Sequence, residues 1–162
     1  MKLVPASVFD VDEIHQLAYK IWTIHYPPII GIEQVDYMLK RMYSKETLHH
    51  QISEGKQIYF LLQNQKVTIG FTSIEINNNT EAFINKFYIL SNQQRSGLGK
   101  QAFDELINYF EEVNTIRLQV NRQNYSAINF YFKVGFVIEK VEDFEIGGGF
   151  QMNDFIMIWK RK

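Results

Sequence analysis

The chain has 162 residues, of which 46% are hydrophobic and 22% charged, and this balance excludes a disordered or low-complexity protein. Seventeen lysines and arginines against 18 acidic residues give a net charge of −1, which argues against binding to nucleic acid. The absence of cysteine excludes disulfides and a cysteine nucleophile. No apolar run approaches the roughly 18 residues of a membrane span. We therefore expect one cytoplasmic domain over residues 1–162, without membrane contact.

The first third of the chain has helical periodicity. Apolar residues recur at helical spacing over 11–21, with Asp10 as the expected N-cap and the Pro27-Pro28 pair as a stop. A second short helix is predicted over 35–42. A third opens at Ser44 and ends at Gly55.

The rest of the chain alternates between strands and helices. Strands are predicted over 58–62, 67–76, 82–90, 116–120 and about 136–145 and 150–160, and helices over 98–113 and 127–134. The first three strands form an antiparallel meander, whereas strand, helix and strand from 82 to 121 form a crossover. The predicted fold class is α/β, with a mixed, mostly antiparallel sheet, a central parallel crossover and about four to five flanking helices.

The most informative segment is a glycine loop between a strand and a helix. It consists of Gln94, Arg95, Ser96, Gly97, Leu98, Gly99 and Lys100. Glycines allow a tight turn and close approach of a ligand, and the free N–H groups at a helix start attract an anion. The loop therefore predicts a binding site for a pyrophosphate.

Three motifs compete for this loop. A dinucleotide fingerprint fits Gly97 and Gly99, but it needs an acidic residue at the end of the next strand, which ends at Val120-Asn121. A Walker loop fails because Gln94 and Gln101 replace its first glycine and its Ser or Thr. An acyl-CoA loop, Gln/Arg-x-x-Gly-x-Gly/Ala, matches from Gln94 to Gly99. A turn without any ligand is the remaining alternative.

A second segment carries Asn121-x-x-Asn124 and Ala127-x-x-x-Tyr131-x-x-x-Gly135-Phe136. Together with the glycine loop, it resembles the GCN5-related N-acetyltransferase (GNAT) superfamily over about 82–160. The flanks are similar to a bacterial polyamine-acetylating, PaiA-like branch of that superfamily. This similarity rests on Trp22-x-x-x-Tyr26, Tyr37-Met38-Leu39, Met42-Tyr43-Ser44 and the tail 152–157.

The resemblance implies a GNAT fold and acetyl-CoA as cofactor. The backbone of Phe87, Tyr88 and Ile89 would pair with the pantetheine arm, residues 94–100 would hold the pyrophosphate, and Asn124 would bond the cofactor. Tyr131 would lie near the thioester sulfur. The closing strands, around the hairpin tip Gly147–Gly149, would contribute to a homodimer.

The chemistry of the residues supports some of these roles and leaves others open. A phenol can protonate a leaving thiolate, which makes Tyr131 a sensible general acid, although it also fits a core tyrosine. Asn124 also fits the N-cap of the next helix. Trp22 and Tyr26 lie on one helical face and fit either core packing or an acceptor pocket for a cationic amine.

The general base is not evident from the sequence. Many relatives use a glutamate on the strand before the loop, whereas this chain has Asn85 there, which cannot take a proton. Glu75, Glu81 and His25 are unranked candidates to hold a water relay. No metal is expected, because the adjacent pair His49-His50 does not share a helical face.

We therefore expect an acetyl-CoA-dependent N-acetyltransferase, of EC 2.3.1 type. It would transfer acetyl directly from the CoA thioester to a primary amine of a small, polyamine-like molecule. The alternatives are acetylation of a protein N-terminus or lysine, and a CoA-binding regulatory module without turnover.

Overall fold

The computed structural model describes residues 1–162 and contains a seven-stranded mixed sheet in the order β1-β2-β3-β4-β5-β7-β6. The strands are β1 Lys2–Pro5, β2 Ile58–Asn64, β3 Val67–Asn78, β4 Glu81–Ile89, β5 Thr115–Asn121, β6 Val137–Gly147 and β7 Phe150–Lys160. Every neighbouring pair is antiparallel except β4 and β5, which are parallel. The predicted fold class is thus confirmed.

Six α-helices cover the two faces of this sheet. They are α1 Val11–His25, α2 Pro27–Ile30, α3 Ile32–Met42, α4 Lys45–Ser53, α5 Leu98–Tyr109 and α6 Tyr125–Lys133. The helices α1, α3 and α4 bury their apolar side chains in one cluster on one face of the sheet. The helices α5 and α6 contribute to a second cluster on the other face. None of these helices is long and apolar enough to cross a membrane.

The N-terminal region departs from the sequence prediction in three places. The edge strand β1 was not predicted; it pairs with β2 from Lys2↔Gln63 to Pro5↔Phe60. Asp10 precedes α1 but makes no capping bond to it; its carboxylate accepts from the backbone N–H of Ser7 at 2.8 Å. The Pro27-Pro28 pair does not simply end a helix, because it also begins α2, where proline is favoured in the first turn.

The parallel strands β4 and β5 separate halfway along their length. They pair only from Glu81↔Thr115 to Ile84↔Leu118. Beyond that point β4 remains paired with β3, and β5 remains paired with β7. A gap therefore opens between the carboxyl halves of β4 and β5.

A β-bulge at Asn85 sits where this gap begins. Ile84 pairs with Ile74 and Lys86 pairs with Ser73, so Asn85 is an extra residue in β4. An extra residue reverses the alternation of side chains. Ile84 consequently joins the cluster beneath α5, whereas Lys86 lies beside Tyr43 and Tyr59 of the opposite cluster.

Candidate active site

The gap between β4 and β5 continues into a cavity of about 780 Å³. Its walls are residues 83–89 of β4, residues 118–121 of β5, the glycine loop, one face of α6 and the end of α1. A crevice at the carboxyl ends of neighbouring parallel strands is a common position for a ligand site. The sequence-predicted site residues thus come from several separate segments that meet at one cavity.

The glycine loop turns into α5 through a left-handed residue. Gly97 has φ +80° and immediately precedes α5, and a side chain there would meet no atom within 4 Å. The first N–H groups of α5 have no acceptor within the helix. Gln94 fixes the loop to β4, because its Nε2 donates to the carbonyl of Ile89 at 2.9 Å. This geometry leaves the start of α5 open at the loop, as an anion-binding helix start requires.

Most of the predicted loop residues line the cavity, and two do not. Those that do are Gln94, Arg95, Gly97, Gly99 and Lys100. The Ser96 hydroxyl instead donates to the Gln93 carbonyl at 2.7 Å, and Leu98 is buried in the core beneath α5. Arg95 and Lys133 of α6 supply positive charge to the cavity, and Lys100, which also lines it, is paired with Asp104 at 2.6 Å. A phosphate-bearing ligand fits this donor set.

The β4 residues Phe87, Tyr88 and Ile89 line the cavity on the opposite wall. One edge of this segment pairs with β3, as far as Ile89↔Gly70. Its other edge has no strand partner, because pairing with β5 stops at Ile84. An extended ligand can therefore add to this edge as a further strand would.

Asn124 serves as the N-cap of α6, as one of the alternatives predicted. Its Oδ1 accepts from the backbone N–H of Ala127 at 3.3 Å. The same oxygen lies 3.1 Å from Nε2 of His25, which must donate because a carbonyl oxygen only accepts. The Asn124 amide nitrogen makes no bond within the protein, so the cap leaves a donor for a ligand.

Tyr131 lies on α6 and lines the cavity while remaining 8% exposed. Its ring packs against Phe130 and Phe136. Burial raises the pKa of the Tyr131 hydroxyl well above its ordinary range. The phenol is therefore protonated at every pH near neutrality.

Aromatic side chains form the wall of the cavity nearest α1. The rings of Trp22 and Tyr26 are stacked, with centroids 4.2 Å apart. Both residues line the cavity, and both also pack with the cluster beneath α1. The Tyr43 hydroxyl donates to the Tyr88 hydroxyl at 3.1 Å behind them. The two sequence alternatives for Trp22 and Tyr26, core packing and pocket wall, are thus compatible.

Asp154 lines the same cavity and was missed by the sequence prediction. It is 1% exposed, and neither carboxylate oxygen has a hydrogen-bond partner. Burial raises its pKa to about 6, the charge of Asp143 adds to this rise, and Arg122 opposes it. The sequence did contain a signal. In β7, alternate positions are Phe150, Met152, Asp154, Ile156 and Ile158, so one carboxylate interrupts an apolar face.

Lys86 is a second cavity residue that the sequence prediction missed. It is 3% exposed, and burial lowers its pKa to about 7. Its Nζ donates to Oε1 of Gln51 at 3.2 Å and to Oε1 of Gln57 at 3.0 Å. The Tyr59 ring centroid lies 5.1 Å away. The bulge at Asn85 produces this position, and the sequence gives no sign of it.

The candidates for a water relay do not lie together. Glu75 pairs with Lys56 at 3.3 Å and Glu81 faces Arg117 at 3.8 Å, and neither glutamate lines the cavity. His25 does line the cavity, and it forms a hydrogen bond with Asn124.

Comparison with known proteins agrees with this geometry. The model of the acetyltransferase (GNAT) family matches residues 12–136, and the chain belongs to this family. It is 27% identical over 157 residues to a spermidine N(1)-acetyltransferase of Thermoplasma acidophilum, covering 93% of this chain and 91% of the relative.

Solved structures give the same result. A PaiA N-acetyltransferase from Thermoplasma acidophilum, in complex with coenzyme A, has a TM-score of 0.80 at 26% identity, covering 99% of this chain and 100% of the other. The ribosomal-protein-S18-alanine N-acetyltransferase of Escherichia coli shares the fold, with a TM-score of 0.73 at 18% identity over 98% and 92% of the two chains.

These matches confirm the resemblance that the glycine loop and the α6 motif indicated. The protein is an N-acetyltransferase, and acetyl-CoA is its acetyl donor. The cavity suits this donor, since a cationic helix start and a free strand edge lie along its wall.

Proposed function

We propose that the protein acetylates a primary amine of a polyamine such as spermidine, with Tyr131 as general acid. One observation carries the proposal: a single cavity joins a cationic, glycine-rich end to an aromatic end that contains the buried carboxylate of Asp154. The first end suits the phosphates of the donor, and the second suits a cationic amine. The name of the Thermoplasma relative supports the choice of substrate class.

The proposed donor site comprises the residues indicated by the sequence. The backbone of Phe87, Tyr88 and Ile89 would pair with the pantetheine arm. The segment Gln94, Arg95, Ser96, Gly97, Leu98, Gly99 and Lys100 would hold the pyrophosphate through N–H groups and positive charge, and Asn124 would offer its amide. Ser96 and Leu98 would contribute backbone only, because their side chains are engaged elsewhere. Trp22 and Tyr26 would contact the acceptor.

Tyr131 is suited to protonate the leaving sulfur. The high pKa of its buried phenol keeps the hydroxyl protonated near neutral pH. A phenol of such high pKa gives up its proton readily only while it receives another. We therefore expect the proton that remains on the attacking nitrogen to replace the one that Tyr131 donates.

The direct test measures free thiol released from acetyl-CoA in the presence of different amines. The chain has no cysteine, so a thiol reagent detects only released CoA. The panel contains spermidine, spermine, putrescine, an aminoglycoside, free amino acids and a lysine peptide. Release that depends on a polyamine is the expected result. Release with the peptide alone would indicate a protein acceptor, and binding of acetyl-CoA without release would indicate a regulatory module.

A further inference from the structure

We propose that Asp154 is the general base of this enzyme: its carboxylate receives the incoming ammonium group of the acceptor and accepts one proton from it. The inference rests on the proposed function, because it concerns the amine substrate of the same cavity. It assigns the role that Asn85 cannot fill.

The charge of the cavity wall favours Asp154 as the base. Asp154 is the single carboxylate among the residues that line it. The other ionisable lining residues are not carboxylates; they are His25, Lys86, Arg95, Lys100, Lys133, Tyr26, Tyr43, Tyr88 and Tyr131. An alkylamine is protonated at neutral pH and cannot attack until it loses a proton. Asp154 is the one anion in the cavity to which such an ammonium is drawn.

Nothing in the protein satisfies the carboxylate of Asp154. Both oxygens are buried without a donor, a state that costs free energy unless a ligand supplies the partner. The polar and charged groups around Asp154 form their bonds with other residues. The Arg122 guanidinium donates to Asp143 at 2.6 Å, and the amide of Asn153 donates to the same Asp143 oxygen at 2.9 Å. Glu142, opposite Asp154 on β6, pairs with Lys140.

Asp154 also lies close in the fold to the start of the segment that carries the proposed acid. Asp154 pairs across the sheet with Asn121, the last residue of β5, just before the chain enters α6 with Tyr131. Burial raises the pKa of the Tyr26 hydroxyl well above its usual range, and the negative charge of Asp154 adds to that rise. Tyr26, Tyr131 and Asp154 all line the same cavity.

The proton balance is complete with these two residues. Asp154 accepts one proton from the ammonium, and the neutral nitrogen attacks the acetyl carbon. A C–N bond forms and the C–S bond breaks, and Tyr131 gives its hydroxyl proton to the departing sulfur. The remaining extra proton on nitrogen returns to Tyr131, and Asp154 releases its own to solvent. Ammonium and thioester thus give an N-substituted acetamide, a free thiol and one proton.

The test uses the full chain with Asp154→Asn, a substitution of almost equal volume, and spermidine as acceptor. We expect kcat at pH 7.5 to fall at least about 100-fold, the usual loss when a general base is removed. The residual rate should rise about tenfold per pH unit toward the ammonium pKa near 10, because the substrate then loses its proton unaided. Wild-type kcat/KM should decrease as pH falls below about 6, where Asp154 becomes protonated.

Glu142→Gln is the matched control, since it makes the same chemical change on the neighbouring strand, outside the cavity lining. Its kcat should stay within about twofold of the wild type. A second readout needs no turnover: without acetyl-CoA, spermidine should raise the melting temperature of the wild type and of Glu142→Gln, but not of Asp154→Asn.

The outcomes separate this inference from the proposed function. If the wild type releases no thiol with any amine, the proposed function fails. If the wild type is active and Asp154→Asn keeps its kcat, Asp154 is not the base. If Asp154→Asn increases the KM for spermidine and leaves kcat unchanged, the base role is also overturned, because Asp154 would then bind the amine without accepting its proton.

Discussion

Burial determines what the two key ionisable side chains of the cavity can do. Tyr131 retains its proton because burial disfavours the phenolate. Tyr131→Phe should lower kcat at least about tenfold with nearly unchanged acetyl-CoA affinity, since a lost general acid affects the chemical step alone. Tyr125→Phe, on an exposed tyrosine of the same helix, should leave kcat unchanged. Steady-state kinetics and calorimetry would measure both, and an unchanged kcat in Tyr131→Phe would remove that residue from the mechanism.

The unpaired carboxylate of Asp154 also has a consequence for stability. Its pKa rises from 3.8 to about 6 on folding, so the native state binds the proton more tightly than the unfolded chain. The wild type should therefore lose stability as pH rises from about 4 to about 6. Asp154→Asn escapes this loss and should melt a few degrees higher than the wild type at pH 7, with no gain at pH 4. Thermal melts at the two pH values check this, and an equal or lower melting temperature at pH 7 would contradict it.

Individual residues also show the limit of prediction from sequence. Tyr131 and Asn124 were found because the motif around them is distinctive. Asp154 was missed, although its place among alternate apolar residues of β7 marks it as a buried carboxylate. Its lack of a partner, however, follows only from the positions of Arg122 and Asp143 in space.

Among the elements, the glycine loop is the one whose role depends most on backbone conformation. Gly97→Val places a branched side chain at φ +80° on the open side of the loop, where the phosphates are expected. The strain alone should cost about 1–2 kcal/mol of stability, and acetyl-CoA binding should be abolished while the chain stays folded. Gly55→Val is the matched control, with φ +67° and equally open space at the end of α4. It should show similar strain with normal binding; normal binding by Gly97→Val would refute the loop assignment.

Two elements could not be predicted because local pattern does not encode them. The strand β1 spans only four residues, includes Pro5 and is stabilised by pairing with β2, which is far along the chain. The bulge at Asn85 interrupts a regular apolar pattern without any glycine to mark it. Strict alternation would place Ile84, Lys86 and Tyr88 on one face, whereas the bulge separates Ile84 from the other two. The long helices and the crossover were predictable because their periodicity extends over many residues.

At the scale of the whole molecule, the loop end of the cavity is cationic, since it carries Arg95 and Lys100. The aromatic end carries the single carboxylate, Asp154, together with the buried Lys86. Acetyl-CoA affinity should therefore fall as salt rises, because exposed cations facing phosphates are screened. Titration calorimetry at 50 and 500 mM salt would measure this, and a salt-independent affinity would contradict a cationic phosphate site. Arg95→Gln should weaken binding at low salt and reduce the salt dependence.

The homodimer expected from the family resemblance stays a prediction, and sedimentation velocity would decide it. The structure does show how the β6–β7 hairpin contacts its own chain. The Tyr37 hydroxyl of α3 donates to the Ile146 carbonyl at 2.8 Å, and Gln34 Nε2 donates to the Gln151 carbonyl at 2.8 Å. The ring of Tyr37 also lies against the backbone of Gly148.

These contacts bind α3, which lines the cavity through Gln34, Met38 and Met42, to the hairpin whose second strand carries Asp154. Hydrogen exchange can measure this connection between α3 and the hairpin. Segments that stabilise one another unfold together as one cooperative unit. The amides of α3 and of the hairpin should exchange at a common rate, and Tyr37→Phe should speed both while leaving α5 as protected as before. Access to the aromatic end of the cavity, where we propose that the amine binds, would then be governed by an opening that begins at the hairpin tip, far from the glycine loop in the sequence.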